Sequence, residues 1–245
     1  MPAGSPADET SGGRVRDGIT VFMPLYNEEE LLERNALTVL RYLPRFDVPF
    51  ELILGSNGST DATPEIGRRL AQAHPEAVFF HLEPRGPGRA FAEAVRRARY
   101  SCFICLDADL SFDMKFTDDA VEKLREYDAV VGSKLLGSQK RPLMRIIASG
   151  CFIFLTNLLL QMPWRDYSIG AKAYRTEAIR PFLDKVDAQT FYTQQMLFQL
   201  RRARARIIEI PVSCEDHRPS KFNLLHEGFY RYGKLFGLWF RSLRG

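Results

Sequence analysis

Apolar and polar positions along the first half of the chain alternate between two periods. Short apolar runs recur at residues 18–24, 50–54, 77–82, 101–106 and 129–132. Each is rich in β-branched or aromatic residues and bounded by turn formers, which predicts buried strands. Between them, residues 28–42, 63–74, 88–100 and 116–127 place apolar side chains every three or four positions. That spacing predicts amphipathic helices. Thr63-Pro64-Glu65 adds a start signal: a capping threonine, a proline at the first helical position and an early acid. Strands alternating with helices predict an α/β chain with a mostly parallel sheet covered on both faces.

The second half reads differently. Residues 146–164 carry no charge and approach the length of a membrane span. Ser149, Gly150, Thr156, Asn157 and Gln161 interrupt the apolar surface, and a span would separate two halves that complete each other. The segment predicts an amphipathic or buried helix. A strand at 169–174, a helix at 190–204, a strand at 207–212 and a polar loop at 214–221 follow. In the last helix Leu225, Phe229, Tyr232, Phe236, Trp239, Phe240 and Leu243 recur at three- and four-residue steps, with Arg231, Lys234 and Arg241 on another face. Such a helix either lies in a membrane interface or packs on the core. Residues 1–17, rich in Pro, Gly, Ser, Asp and Arg, predict a disordered tail and lack the apolar core of a signal peptide. Residues 18–222 predict one domain with two lobes (18–135 and 136–222), and 223–245 the amphipathic helix.

Composition narrows the function. The 245 residues are 45% hydrophobic and 26% charged, with a net charge of only +4. No dense basic run interleaves with aromatics, which argues against nucleic acid as a partner. Cys102, Cys105, Cys151 and Cys214 do not suggest a disulfide framework and fit a reducing compartment. The spacing of Cys102 and Cys105 puts them on opposite faces of a strand, as core packing.

Candidate chemistry collects at the strand ends. The run at 101–106 leads into Asp107-Ala108-Asp109. Residues i and i+2 share a face of a strand, so both carboxylates can converge on one hard cation at the carboxyl edge, where parallel sheets bind ligands. The plainer alternative is an acidic turn after a core strand. Pro24 to Glu28 and Ser56 to Asp61 fall at the same edge.

Taken in order and spacing, several motifs resemble the inverting family 2 glycosyltransferases of the GT-A fold. They are Met23-Pro-Leu-Tyr-Asn-Glu28, Asn57-Gly-Ser-Thr-Asp61, Arg85-Gly-Pro-Gly88, Asp107-Ala-Asp109 and Gly132-Ser-Lys134. Arg165-Asp166, Gly170-Ala-Lys172 and Arg218-Pro-Ser-Lys221 complete the set. Within that family the chain looks most like the polyprenyl-phosphate sugar transferases of the dolichol-phosphate mannosyltransferase type. The resemblance implies a Rossmann-like GT-A sheet. It implies that Pro24, Tyr26 and Glu28 line a nucleotide pocket, with Asn57 near base and ribose. Asp107 and Ala108 would approach the nucleotide, and Asp109, with Asp107, would hold Mg²⁺ or Mn²⁺ on the diphosphate. Lys134 would bind phosphate, and Arg218, Ser220 and Lys221 the phosphate of the acceptor. The chain departs from the pattern at Ser56-Asn57, where the family commonly has two aspartates, at Ser111 in place of a glutamine, and at Lys134 in place of an arginine. Its spacing from Arg218 to Lys221 is also shorter. These departures suggest a different donor or acceptor.

The implied reaction moves a hexose from a nucleoside diphosphate sugar, with inversion, to a polyprenyl phosphate. The metal on Asp109 and the ammonium of Lys134 would stabilise charge developing on the leaving group. A phosphate acceptor is already ionised, whereas a hydroxyl would need a base, for which Asp166 is the candidate. Residues 189–195 contain no acid. This favours the phosphate and leaves Asp166 as a possible structural partner of Arg165 or Lys172. Two alternatives stand beside this reading: a transferase acting on a hydroxyl of a lipid-linked or surface glycan, and a non-catalytic nucleotide-sugar or lipid-binding protein. The expected location is cytoplasmic, peripheral to the inner face of the membrane through the last helix.

Overall fold

The computed structural model describes residues 17–137, 139–140, 143–167, 169–215 and 224–243. The apolar runs of the first half form β1 (Ile19–Leu25), β2 (Phe50–Asn57), β3 (Ala77–Leu82), β4 (Cys102–Cys105) and β5 (Ala129–Ser133). The periodic segments between them form α1 (Leu32–Tyr42), α2 (Thr63–Ala73), α3 (Pro87–Arg97) and α4 (Lys115–Lys123). The second half contributes β6 (Gln139–Lys140), α5 (Leu143–Leu160), β7 (Lys172–Arg175), α6 (Thr176–Ile179) and α7 (Tyr192–Arg202). It ends with β8 (Ile207–Pro211), β9 (Cys214–Glu215) and α8 (Leu224–Ser242).

One seven-stranded sheet runs in the order β3-β2-β1-β4-β7-β5-β8, and β6 pairs with β9 apart from it. Every pairing in the large sheet is parallel except those of β7, which runs antiparallel to both β4 and β5. A sheet buried on both faces needs apolar residues at successive positions, which is why its strands read as continuous runs. Val21, Met23, Leu52, Leu54 and Ile104 pack with α1, α2 and α4 on one face. Phe22, Ile53, Phe103, Val131 and Tyr174 pack with α3, α7 and α8 on the other. Cys102 and Cys105 fall in different layers, as strand alternation requires. Burial pushes both thiols far up, so they act as packing.

Helix α5 buries Phe152, Thr156 and Leu160 at four-residue steps while Ile147, Phe154 and Leu158 stay exposed. Among the described residues no helix is long and apolar enough to cross a membrane. Helix α8 packs on α5 and buries Leu235 and Leu238. Its Phe229, Phe236, Phe240 and Leu243 remain exposed. Arg231 and Lys234 turn toward the protein, where the Phe152 ring and the Asp187 carboxylate lie.

Three further expectations are corrected. The fourth strand stops at Cys105, before the two aspartates. The strand expected at 169–174 begins only at Lys172. Thr63 does not cap α2: Ala62 holds that position, and the Thr63 hydroxyl accepts the Glu28 N–H at 2.7 Å.

Candidate active site

Three loops meet at the carboxyl edge of β1, β2 and β3, and short polar side chains stitch them together. Asn27 takes a left-handed backbone (φ 52°), a conformation asparagine tolerates. Its Oδ1 accepts the Thr60 N–H at 2.9 Å, and its own N–H donates to Ser59 Oγ at 3.1 Å. Asn57 Nδ2 donates to Leu25 O at 2.8 Å, and Oδ1 accepts the Gly86 N–H at 3.3 Å. Asn57 thus ties β1 to the loop before α3. The Arg85 guanidinium lies 3.7 Å over the Tyr26 ring, a cation–π stack at the rim. Pro24 stands beside Gly55 in the register, and Glu28 is buried with its carbonyl accepting the N–H groups of Leu31 and Leu32. Ser56 donates to Ser59 Oγ at 3.0 Å and lies 2.9 Å from His81 Nδ1. A chain of hydroxyls and an imidazole occupies the position where a carboxylate was the family expectation.

The acidic pair sits in a turn, not on a strand. The Leu106 N–H bonds Phe22 O at 2.9 Å, extending the pairing one residue. The Leu110 N–H then bonds Asp107 O at 2.9 Å with Leu110 at φ 50°, which reverses the chain. Turn geometry, not strand alternation, brings Asp107 and Asp109 together. The Asp107 carboxylate rests on Gly170, where a Cβ would fall 1.9 Å from its Oδ1. Only a glycine allows that approach. Burial pushes the Asp107 carboxyl up to about 6; the charge of Asp109 adds to the rise, while Lys172, Lys134 and the Gly170 N–H oppose it. Ala108 is buried, and its carbonyl accepts Asn35 Nδ2 at 2.8 Å. Asp109 Oδ1 accepts the Ser111 N–H at 3.1 Å.

A buried carboxyl whose proton affinity is raised by burial and by a neighbouring acid calls for a counter-charge, and the hard oxygens of the pair fit Mg²⁺ or Mn²⁺. Among the described residues no group of three or more His, Cys, Asp and Glu side chains forms a self-sufficient metal site. A cation on Asp107 and Asp109 would complete its shell with substrate oxygens and water, the usual arrangement for Mg²⁺ beside phosphates.

Opposite the acidic turn, Lys134 follows β5 and is buried with Asp166, its Nζ 3.2 Å from Asp166 Oδ2. Asp166 also accepts the N–H of Lys134 and of Ile169, each at 3.3 Å. The expected partner was Arg165 or Lys172; the ion pair forms with Lys134. Glu209 on β8 fixes this loop by accepting the N–H of Arg165 at 2.8 Å and of Asp166 at 3.1 Å. Lys172, which was not singled out as a site residue, opens β7 and is buried, its Nζ donating to Ile169 O. Burial pulls its ammonium down to about 8, with Asp166 opposing and Lys134 adding to the fall. The available signal was the Gly170-Ala-Lys172 motif at the start of the strand. Two buried ammonium groups therefore stand by the acidic turn, a setting suited to anionic groups on either side of a reacting centre. The acceptor-phosphate candidates Arg218, Ser220 and Lys221 lie outside the described residues.

A mostly parallel sheet whose carboxyl edge carries an acidic turn and facing lysines is the architecture of the GT-A glycosyltransferases. The chain belongs to glycosyl transferase family 2, whose model matches residues 20–183. Among its relatives is glycosyltransferase AglD of Haloferax volcanii, 33% identical over 231 residues, covering 91% of this chain and 36% of that protein. A dodecaprenyl-phosphate galacturonate synthase of Rhizobium johnstonii is 30% identical over 215 residues, covering 84% of this chain and 62% of that one. The chain thus spans less than two thirds of either relative. Solved structures share the fold. The mannosyltransferase PcManGT of Pyrobaculum calidifontis, in complex with GDP-Man and Mn²⁺, superposes with TM-score 0.63 at 24% identity, covering 94% of this chain and 65% of that chain. Glucosyl-3-phosphoglycerate synthase of Mycobacterium tuberculosis, with Mn²⁺, UDP and phosphoglyceric acid, gives 0.63 at 19%, covering 91% and 76%.

Proposed function

We propose that this protein is a metal-dependent, inverting glycosyltransferase that moves a hexose from a nucleoside diphosphate sugar to a polyprenyl phosphate. Residues 18–222 would be the catalytic unit and 223–245 an interfacial helix at the cytoplasmic face of a membrane. Family membership supports the reaction class, and the relative named as a dodecaprenyl-phosphate galacturonate synthase supports the acceptor class. The observation that carries the choice of acceptor is the buried Asp166–Lys134 pair. Asp166, the one candidate base named from sequence, accepts two backbone N–H groups and an ammonium, which makes it a clamp for Lys134. An acceptor that arrives ionised needs no base.

A Mg²⁺ or Mn²⁺ ion on Asp107 and Asp109 would supply Lewis-acid stabilisation of the diphosphate. Tyr26, Arg85 and the Asn57–Asp61 loop would hold the nucleotide, with Pro24 and Glu28 shaping its pocket and the Ala108 backbone alongside. Lys134, held by Asp166, would place positive charge against the developing leaving group. Arg218, Ser220 and Lys221 would receive the acceptor phosphate. One phosphate oxygen forms the new bond to the anomeric carbon from the face opposite the leaving group. The bond to the diphosphate breaks, and its electron pair departs with the nucleoside diphosphate. The exposed apolar rows of α5 and α8 support a membrane surface as the place where a lipid acceptor is met.

The test is donor turnover with UDP-, GDP- and dTDP-sugars, Mg²⁺ or Mn²⁺, each with and without a short polyprenyl phosphate. Nucleoside diphosphate release is expected to require the lipid phosphate and to fall by about a hundredfold or more in Asp109→Ala. Asp166→Asn is expected to weaken turnover moderately through Lys134. Release that needs only a sugar hydroxyl, and collapses in Asp166→Asn, would reject the phosphate acceptor and make Asp166 the base.

A further inference from the structure

Arg231 is unusual among the cations of α8. Its side chain is 20% exposed, and its Nε is fully covered with no hydrogen-bond partner among the described residues. The guanidinium lies 4.9 Å over the Phe152 ring. The Gln194 amide, oriented by Phe191 O and Thr193 Oγ1, turns its oxygen to an Arg231 N–H. Glu227 Oε1 stands 4.0 Å from Nε, beyond hydrogen-bond reach. Burial lowers the guanidinium's proton affinity, while the charges of Glu227 and of Asp166 raise it.

Other polar contacts fasten α8 besides those of Arg231. Asp187 accepts Lys234 Nζ at 2.8 Å and the Tyr230 hydroxyl at 2.6 Å, and Thr190 donates to Glu227. A covered guanidinium N–H with no acceptor calls for an explanation, since buried donors are normally paired. A guanidinium offers a planar fork of donors matched to phosphate oxygens. On the other side of the same helix, Phe229 and Phe236 are exposed. The helix therefore joins an inward cation to an outward apolar surface, the two chemistries of an amphiphile with an anionic head.

We propose that Arg231 is an acceptor-binding residue that donates to the phosphate monoester head group of the lipid acceptor as it lies beside the Lys134–Asp166 pair. The inference rests on the reaction proposed above and adds α8 to the site. Glu227 is the charge that balances Arg231 when no acceptor is bound, and it competes with the incoming phosphate.

The experiment measures donor KM and acceptor KM separately, with a short polyprenyl monophosphate in detergent, for wild type, Arg231→Gln, Arg231→Lys, Glu227→Gln and Asp187→Asn. Arg231→Gln is expected to raise acceptor KM about ten- to a hundredfold, the effect of losing hydrogen bonds to a charged group, with donor KM unchanged. Arg231→Lys should recover part of the loss, and Glu227→Gln should lower acceptor KM, which a merely structural arginine would not produce. An unchanged acceptor KM in Arg231→Gln overturns the inference. So does a joint rise of both KM values shared with Asp187→Asn, which loosens α8 but leaves Arg231 in place. If Arg231→Gln does not fold, acceptor KM unmoved in both Arg231→Lys and Glu227→Gln overturns it. A wild type without phosphate-dependent turnover rejects the reaction itself, and the inference with it. An active wild type with an indifferent Arg231→Gln rejects the inference alone.

Discussion

At Gly88 the first turn of α3 lies so close to the chain at Asp187 that a Cβ would fall 1.9 Å from the Asp187 carbonyl oxygen. Neither partner is a flexible side-chain tip, so the backbone would have to shift. Gly88→Ala is expected to cost about 1–3 kcal/mol of stability, the range for overpacking, measured as a lower unfolding midpoint in denaturant. From sequence the same glycine appears only as part of the Arg85-Gly-Pro-Gly88 motif. The residue type was legible and its reason was not, because the crowding atom comes from a loop far along the chain. Asp107 and Asp109 behave alike: their chemistry was visible as two acids one residue apart, but the turn that reverses the chain there and the Gly170 floor under Asp107, from the loop before β7, were not. Lys172 was visible as part of the Gly170-Ala-Lys172 motif but was given no site role, because a charge inside an apolar run gains meaning only when its neighbours across the sheet are known.

Among the elements, α8 shows how far periodicity carries and where it stops. The three- and four-residue spacing located a helix that spans Leu224–Ser242. It did not decide which stripe faces the protein, because apolar residues lie on the buried side (Leu235, Leu238) and on the exposed side (Phe229, Phe236) alike. The Asp187 carboxyl is the anchor. Burial alone would raise it, but the hydrogen bonds from Lys234 and Tyr230, with the charge of Lys234, outweigh that and hold it below the ordinary 3.8. A carboxylate depressed on folding adds stability above its unfolded value and loses it as pH falls through the folded value. The stability gap between wild type and Asp187→Asn should therefore hold from neutrality down to about pH 4 and close below it. Thermal unfolding of both proteins across that range checks the sign; a gap that widens on acidification contradicts the anchor.

For the whole molecule, the exposed rows of α5 and α8 carry most of the large exposed apolar side chains among the described residues, with Phe154 and Leu158 on one helix and Phe229, Phe236 and Phe240 on the other. If this surface meets lipid, replacing the three phenylalanines of α8 with serine should remove on the order of 1 kcal/mol per ring, and vesicle binding should fall roughly a hundredfold. Co-sedimentation with anionic vesicles measures this, and undiminished binding would exclude the helix as the contact. The overall architecture was the most legible level, since alternating periods fix a parallel sheet. The exception is β7, which reverses direction between β4 and β5 and is bonded to both. Its reversed course means that the loop before it, carrying Asp166 and Gly170, arrives at the edge reached elsewhere by loops after strands. It also has a consequence for biosynthesis. The strands β1 to β4 and the strand β5 leave the ribosome early yet have no direct pairing across that junction. The stretch that joins them is the one that delivers Asp166, Gly170 and Lys172. A nascent or prematurely ended polypeptide thus lacks both the seam of its sheet and Lys172 with the Asp166 clamp on Lys134, and it gains them together when one short segment is translated.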